Sequence, residues 1–204
     1  MQHIKSAFAR LKSAACAVQQ TSQAQVTKRQ TRYEYMSGPM FFLAQQIVRA
    51  MQDAGYPAFI WCHYRPPEQQ QIEFDEGDSR ARPWRSAHQF LEAVDIVHPK
   101  LYWDAPLEYW QTLNSCVRIV EEKFSVDLVH GYDWGWDSAH IELADWREFR
   151  DTIGHATPTV HQCIERFKTV LPKQWKQFER SAAYPLKMAN PSFHATAFVY
   201  PHKP

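Results

Sequence analysis

The sequence predicts an α+β fold: a small antiparallel sheet flanked by helices. Three observations point there. Apolar residues recur at helical spacing in three separate stretches. Between these stretches lie short runs rich in aromatic and β-branched residues, bounded by Gly and Pro. Ligand-type His and Asp residues gather in two short blocks outside the helical stripes.

Residues 1–36 are expected to be an N-terminal extension and linker. They open on a weakly amphipathic stretch carrying Ile4, Phe8 and Leu11, and continue into a Gln/Thr/Ser-rich run from Gln19 to Thr31. The core, residues 37–152, begins near Ser37-Gly38-Pro39. From Met40 to Ala54, the residues Phe41, Ala44, Ile47, Val48 and Met51 trace a helical face, and Gly55 stops it. Tyr56 to Tyr64 reads as a buried, aromatic-rich strand that delivers Arg65 at its end. Pro66 to Arg85 is charged, carries Gly77 and Pro83, and reads as a loop around a short helix. Ala93 to Val97 reads as a strand. Pro106 to Phe124 reads as a helix, with Leu107, Trp110, Leu113, Val117, Val120 and Phe124 on one stripe. A turn at Gly131 to Gly135 precedes a short strand, His140 to Leu143. Residues 153–204 are expected to form a helical appendage and tail. Thr157-Pro158 is read as N-cap and first helical position. Val160, Cys163, Ile164, Phe167, Val170 and Leu171 form its stripe, Pro172 ends or kinks it, and residues 190–204 read as irregular.

Composition narrows the function classes. A net charge of +1 lacks the basic stripe that nucleic acid requires. No apolar run approaches the roughly 18 residues of a membrane span. Cys16, Cys62, Cys116 and Cys163 form no CxxC pair, which argues against a thiolate zinc site and against a disulfide framework. Cys62 and His63 are adjacent on a strand, so their side chains point to opposite faces; both read as structural. Oligomeric state has no signature in the sequence.

The chemistry lies in the two blocks, Ser86 to Asp95 and Trp134 to Leu143. His88, Asp95 and His140 offer two imidazoles and one carboxylate to a single Zn2+, the donor set of a catalytic site that keeps a fourth position for water. Taken alone, each block has an ordinary explanation: a surface i,i+7 pair, or an Asp capping a turn beside a half-buried His. A carboxylate inside an apolar strand, as at Asp95, needs a partner or a metal. Asp137 lies three residues before His140 and is the candidate general base. Glu142 shares a strand face with His140 and could orient it. Ser86 and Trp134 flank the site, where they could support a ligand from behind or touch the substrate.

Ser86-x-His88-x6-Asp95 followed by Asp137-x-x-His140 resembles the zinc peptidases that cut bacterial cell-wall peptides, a group spanning D-alanyl-D-alanine carboxypeptidases and dipeptidases and phage L-alanyl-D-glutamate endopeptidases. The upstream block Tyr64-Arg65-Pro66-Pro67-Glu68-Gln69-Gln70 resembles their Tyr-Arg-Ser-Pro-Glu-Gln-Gln element. One departure stands out: Leu91 occupies a place where the family usually has Gly. The resemblance covers residues 37–146. It implies a zinc metallopeptidase acting on peptidoglycan, with Arg65 as a fixed cation for an oxyanion or a substrate carboxylate. An endolysin-like endopeptidase is the expected activity. D-Ala-D-Ala carboxypeptidase or dipeptidase action is the enzymatic alternative, and a non-catalytic zinc-stabilised binding module, as in hedgehog-type domains, is the other. The best apolar stretch near the start, Ala14 to Val18, is too short for a secretory segment. The expectation is a protein held in the cytoplasm until release, as for a phage enzyme freed through a permeabilised membrane.

Overall fold

Pro39 opens the first helix, because its fixed φ suits the first helical position and its missing N–H costs nothing there. This helix, α1, runs Pro39–Asp53 and buries Met40, Leu43, Ala44, Ile47 and Met51. The computed structural model describes residues 37–180; the amphipathic stretch and linker expected before residue 37, and the tail expected from residue 190, lie outside them.

Strand β1 is Phe59–Cys62, shorter than the apolar run that predicts it. Helix α2, Pro67–Asp75, follows, and an irregular segment leads to a 3-10 turn, Ala87–Phe90. Strand β2 is Ala93–Val97 and is buried throughout. Helix α3 spans Leu107–Phe124. Strand β3, Leu128–His130, is only three residues long and carries no alternation that sequence could register. After a second 3-10 turn, Gly131–Trp134, strand β4 covers His140–Leu143. Three helices close the described chain: α4 Trp146–Ile153, α5 Val160–Val170 and α6 Pro172–Glu179.

The four strands form one antiparallel sheet in the order β1-β2-β4-β3. Side chains alternate between its faces. Val94, Ile96, Ile141 and Leu143 join the main apolar core with α1 and α3. Asp95, His140 and Glu142 therefore occupy the other face. Helices α5 and α6 contribute Ile164, Phe167, Leu171, Trp175 and Phe178 to the same core as the sheet. A smaller cluster of Ala87, Phe90, Ala93 and Trp146 packs beneath the 3-10 turn.

Helix α5 starts two residues later than Thr157 implies. Thr159 is its N-cap, and Gln162 completes a reciprocal capping box, which satisfies two backbone donors that Thr157-Pro158 would have left open. Pro172 begins α6 rather than continuing α5, as its missing N–H requires.

Candidate metal centre

Strand register brings the first two ligand-type residues together. Asp95 on β2 stands directly across from His140 on β4, and directly opposed residues on one face have their Cβ atoms only about 5 Å apart. His88 arrives from the 3-10 turn that precedes β2. The turn reverses at Leu91, whose backbone is left-handed at φ 61° and ψ 26°. That conformation costs a non-glycine residue roughly 1–2 kcal/mol, and burial of the Leu91 side chain offsets it. The departure from Gly at this place thus keeps the backbone shape that Gly favours.

The three donor atoms form a nearly equilateral triangle. His88 Nε2 lies 3.2 Å from His140 Nδ1. Asp95 Oδ1 lies 3.3 Å from each of those nitrogens. Donors about 2.0 Å from a tetrahedral zinc ion are about 3.3 Å from one another, so the triangle fits that ion. Hydrogen bonds behind the three donors orient the rings. His140 Nε2–H donates to Glu142 Oε2 at 3.1 Å, which leaves the Nδ1 lone pair facing the triangle. His88 Nδ1–H points at the His63 carbonyl oxygen at 3.3 Å, and the Cys62 sulfur lies 3.2 Å from the same nitrogen. Arg65 Nη2 donates to Asp95 Oδ2 at 3.3 Å and so turns Oδ1 toward the imidazoles.

The electrostatics favour positive charge inside this triangle. Burial opposes a charge on His140, yet Asp95 and Glu142 outweigh burial and push its pKa up to about 10. Burial pushes His88 down. Burial would raise Asp95, but His88, His140 and Arg65 hold its carboxyl well below the usual range. Burial would likewise raise Glu142, and its bond to His140 lowers it. A divalent cation competes for the same lone pairs as a proton there.

Cys62, His88 and Asp95 form another grouping, with donor atoms within 4.8 Å of one another. It is looser than the histidine triangle, and the Cys62 sulfur approaches His88 on Nδ1, the ring edge away from Asp95 and His140. The His63 ring points elsewhere, with its nitrogens 3.0 Å from the Ala93 and Ser37 carbonyl oxygens. The adjacent pair therefore faces apart.

All eight residues singled out in the sequence line one cleft of about 510 Å³. Trp134 stands beside His140, with ring centroids 5.5 Å apart. Ser86 is buried at the cleft wall. Asp137 is held by the turn that precedes β4, and its carbonyl accepts from the His140 N–H at 3.1 Å. Gly131 makes that turn feasible: a Cβ there would sit 2.2 Å from the Asp137 carbonyl oxygen. His130, just before the Gly131 turn, lies within reach of Asn114 Oδ1 and the Ser138 carbonyl and takes no place in the triangle. Cys62, read as structural from sequence, and Gln70, given no role of its own, both stand against site residues. Cys62 reaches His88 only because a bulge after Ile60 sets it opposite Asp95.

No protein-family model matches the chain, and no curated protein matches it. Among solved structures, the chain is similar to the Serratia marcescens L-Ala D-Glu endopeptidase ChiX, at 21% identity and a TM-score of 0.45, over 60% of this chain and 90% of that one. A likeness that loose carries no argument about function.

Proposed function

We propose that this protein is a zinc-dependent peptidase that cuts peptide bonds in the stem peptides or cross-links of bacterial peptidoglycan. The observation that carries the reading is the triangle of His88 Nε2, Asp95 Oδ1 and His140 Nδ1, with edges of 3.2–3.3 Å, opening into a cleft that also holds Asp137. The motif resemblance supplies the substrate class. An endolysin-like endopeptidase, encoded by a phage and released to the wall, is the finer form of the same proposal.

Zinc held by the three donors would supply Lewis acidity and bring the pKa of a water toward neutrality. The remaining chemistry belongs to the side chains. Asp137 accepts the proton of the attacking water and returns it to the leaving amine. Arg65, fixed by Asp95 and Gln70, presents its guanidinium to the carbonyl oxygen as negative charge develops. Glu142 keeps the His140 ring in the tautomer that directs Nδ1 inward.

Mass spectrometry of purified muropeptides after digestion tests the proposal. New amino termini inside the stem or cross-link are expected. Release of D-Ala alone would replace the endopeptidase with a carboxypeptidase. Zinc-loaded protein that binds wall fragments and cuts nothing would be a binding module.

A further inference from the structure

Gln70 belongs to the Tyr64–Gln70 block, yet the ligand triangle does not use it. It is fully buried, and its amide is satisfied in two directions. Oε1 accepts from Arg65 Nη1 at 3.2 Å. Nε2 donates to Ser79 Oγ at 2.8 Å and to the Ala81 carbonyl at 2.7 Å. One side chain thus ties Arg65, which bonds the ligand carboxylate, to the segment around residue 80. Arg80, between the two residues that Gln70 holds, lies over the Trp136 ring at 4.0 Å. Trp136 in turn stacks on Trp134, which stands against His140. The segment therefore spans the cleft. Gln70 anchors it on the Asp95 side, and the tryptophan stack anchors it on the His140 side.

We propose that Gln70 is a positioning residue that fixes Arg65 and the strap of residues 79–82 as one unit across the cleft. Its catalytic half rests on the peptidase reading. An amide suits the position because Arg65 needs an acceptor while the Ala81 carbonyl needs a donor, and Gln supplies both from one buried group. Glutamate would keep the acceptor for Arg65 and lose the donor to the Ala81 carbonyl, while the Ser79 hydroxyl would turn and donate to the carboxylate. Leucine would lose both functions.

The test uses the full-length, zinc-loaded chain with Gln70→Glu, Gln70→Leu and Ser79→Ala. Amide hydrogen exchange at residues 79–82, zinc content, and kcat and KM on muropeptides are read for each. All three variants should keep zinc and show faster exchange at the strap; Ser79→Ala also removes the acceptor of the Ala81 N–H, so its effect on the clamp is read at Arg80 and Arg82. Gln70→Glu should raise KM with kcat nearly unchanged, because Arg65 keeps its partner. Gln70→Leu should also lower kcat, by about tenfold or more, since a misplaced catalytic group costs that much. Wild-type exchange at the strap in Gln70→Glu and Ser79→Ala overturns the clamp, even if Gln70→Leu fails to fold. Equal kcat and KM in Gln70→Glu and the wild type overturns the strap's role in substrate binding. If the wild type cuts no muropeptide, the proposed function fails, and strap exchange still decides the clamp.

Discussion

Two buried carboxylates, three residues apart, meet opposite ends. Glu92 is 1% exposed and Asp95 is 6% exposed. Glu92 faces Arg166 of α5, which donates to it at 2.8 and 3.1 Å and also binds Asp145. Asp95 faces His88, His140 and Arg65 in an open cleft. The first cluster is closed: a permanent cation satisfies the charge and staples α5 to the sheet. The second is exchangeable, because imidazole lone pairs accept a proton or a metal with little rearrangement. Burying a carboxylate says little about function. What meets the carboxylate, and whether a cleft reaches it, separates a staple from a site.

The sharpest way to break the comparison is to remove one charge from each side. Asp137→Ala takes away the proposed proton acceptor at the open site and leaves His88, Asp95 and His140 in place. Activity on muropeptides should fall about 10²–10⁴-fold with zinc content unchanged. Loss of zinc in that variant would make Asp137 a ligand. At the closed site, Arg166→Met strands Glu92 without its cation. Urea denaturation should show a loss of about 3–5 kcal/mol, as for other broken buried pairs. A loss below about 1 kcal/mol would mean that Glu92 protonates or that water reaches it once Arg166 is gone.

A smaller effect is expected one shell out. Glu142→Gln weakens the orientation of His140, and zinc affinity measured by chelator competition should fall about 10–100-fold. Unchanged affinity would leave Glu142 as a buried ion-pair partner of Arg147.

The smallest effect is the pH dependence of the staple. Burial pushes the Glu92 pKa up to about 7 from 4.5, against the pull of Arg166. The folded state therefore binds the Glu92 proton more tightly than the unfolded state. The stability this gives is fully present below the unfolded pKa and is lost as pH rises toward about 7. His63 and His130, both pushed down to about 4 by burial, act with the opposite sign, losing stability as pH falls. The difference between wild type and Glu92→Gln isolates the Glu92 part. Stability measured from pH 4.5 to 7 should fall more steeply, or rise less, in the wild type; parallel curves would contradict it.

Much of the fold was readable where patterning is strong. Strands Ala93–Val97 and His140–Leu143 stand where the apolar runs place them, and Gly55 and Pro172 end and start helices as their backbones dictate. Strand Leu128–His130 was not legible, because three residues at a sheet edge leave no periodicity. The start of α5 was misplaced because two Thr compete and only the Thr159–Gln162 reciprocity chooses between them. The ordered blocks singled out eight residues that share the cleft. They did not show Cys62 behind His88 or Gln70 behind Arg65, since both contacts depend on a strand bulge and a loop path that no local pattern encodes.

Zinc K-edge X-ray absorption on protein purified without chelator, together with metal analysis, tests the central claim most directly. The account predicts one zinc per chain with only nitrogen and oxygen neighbours at about 2.0–2.2 Å. A zinc–sulfur distance near 2.3 Å, which would place Cys62 on the metal, or a chain that binds no zinc, would contradict it.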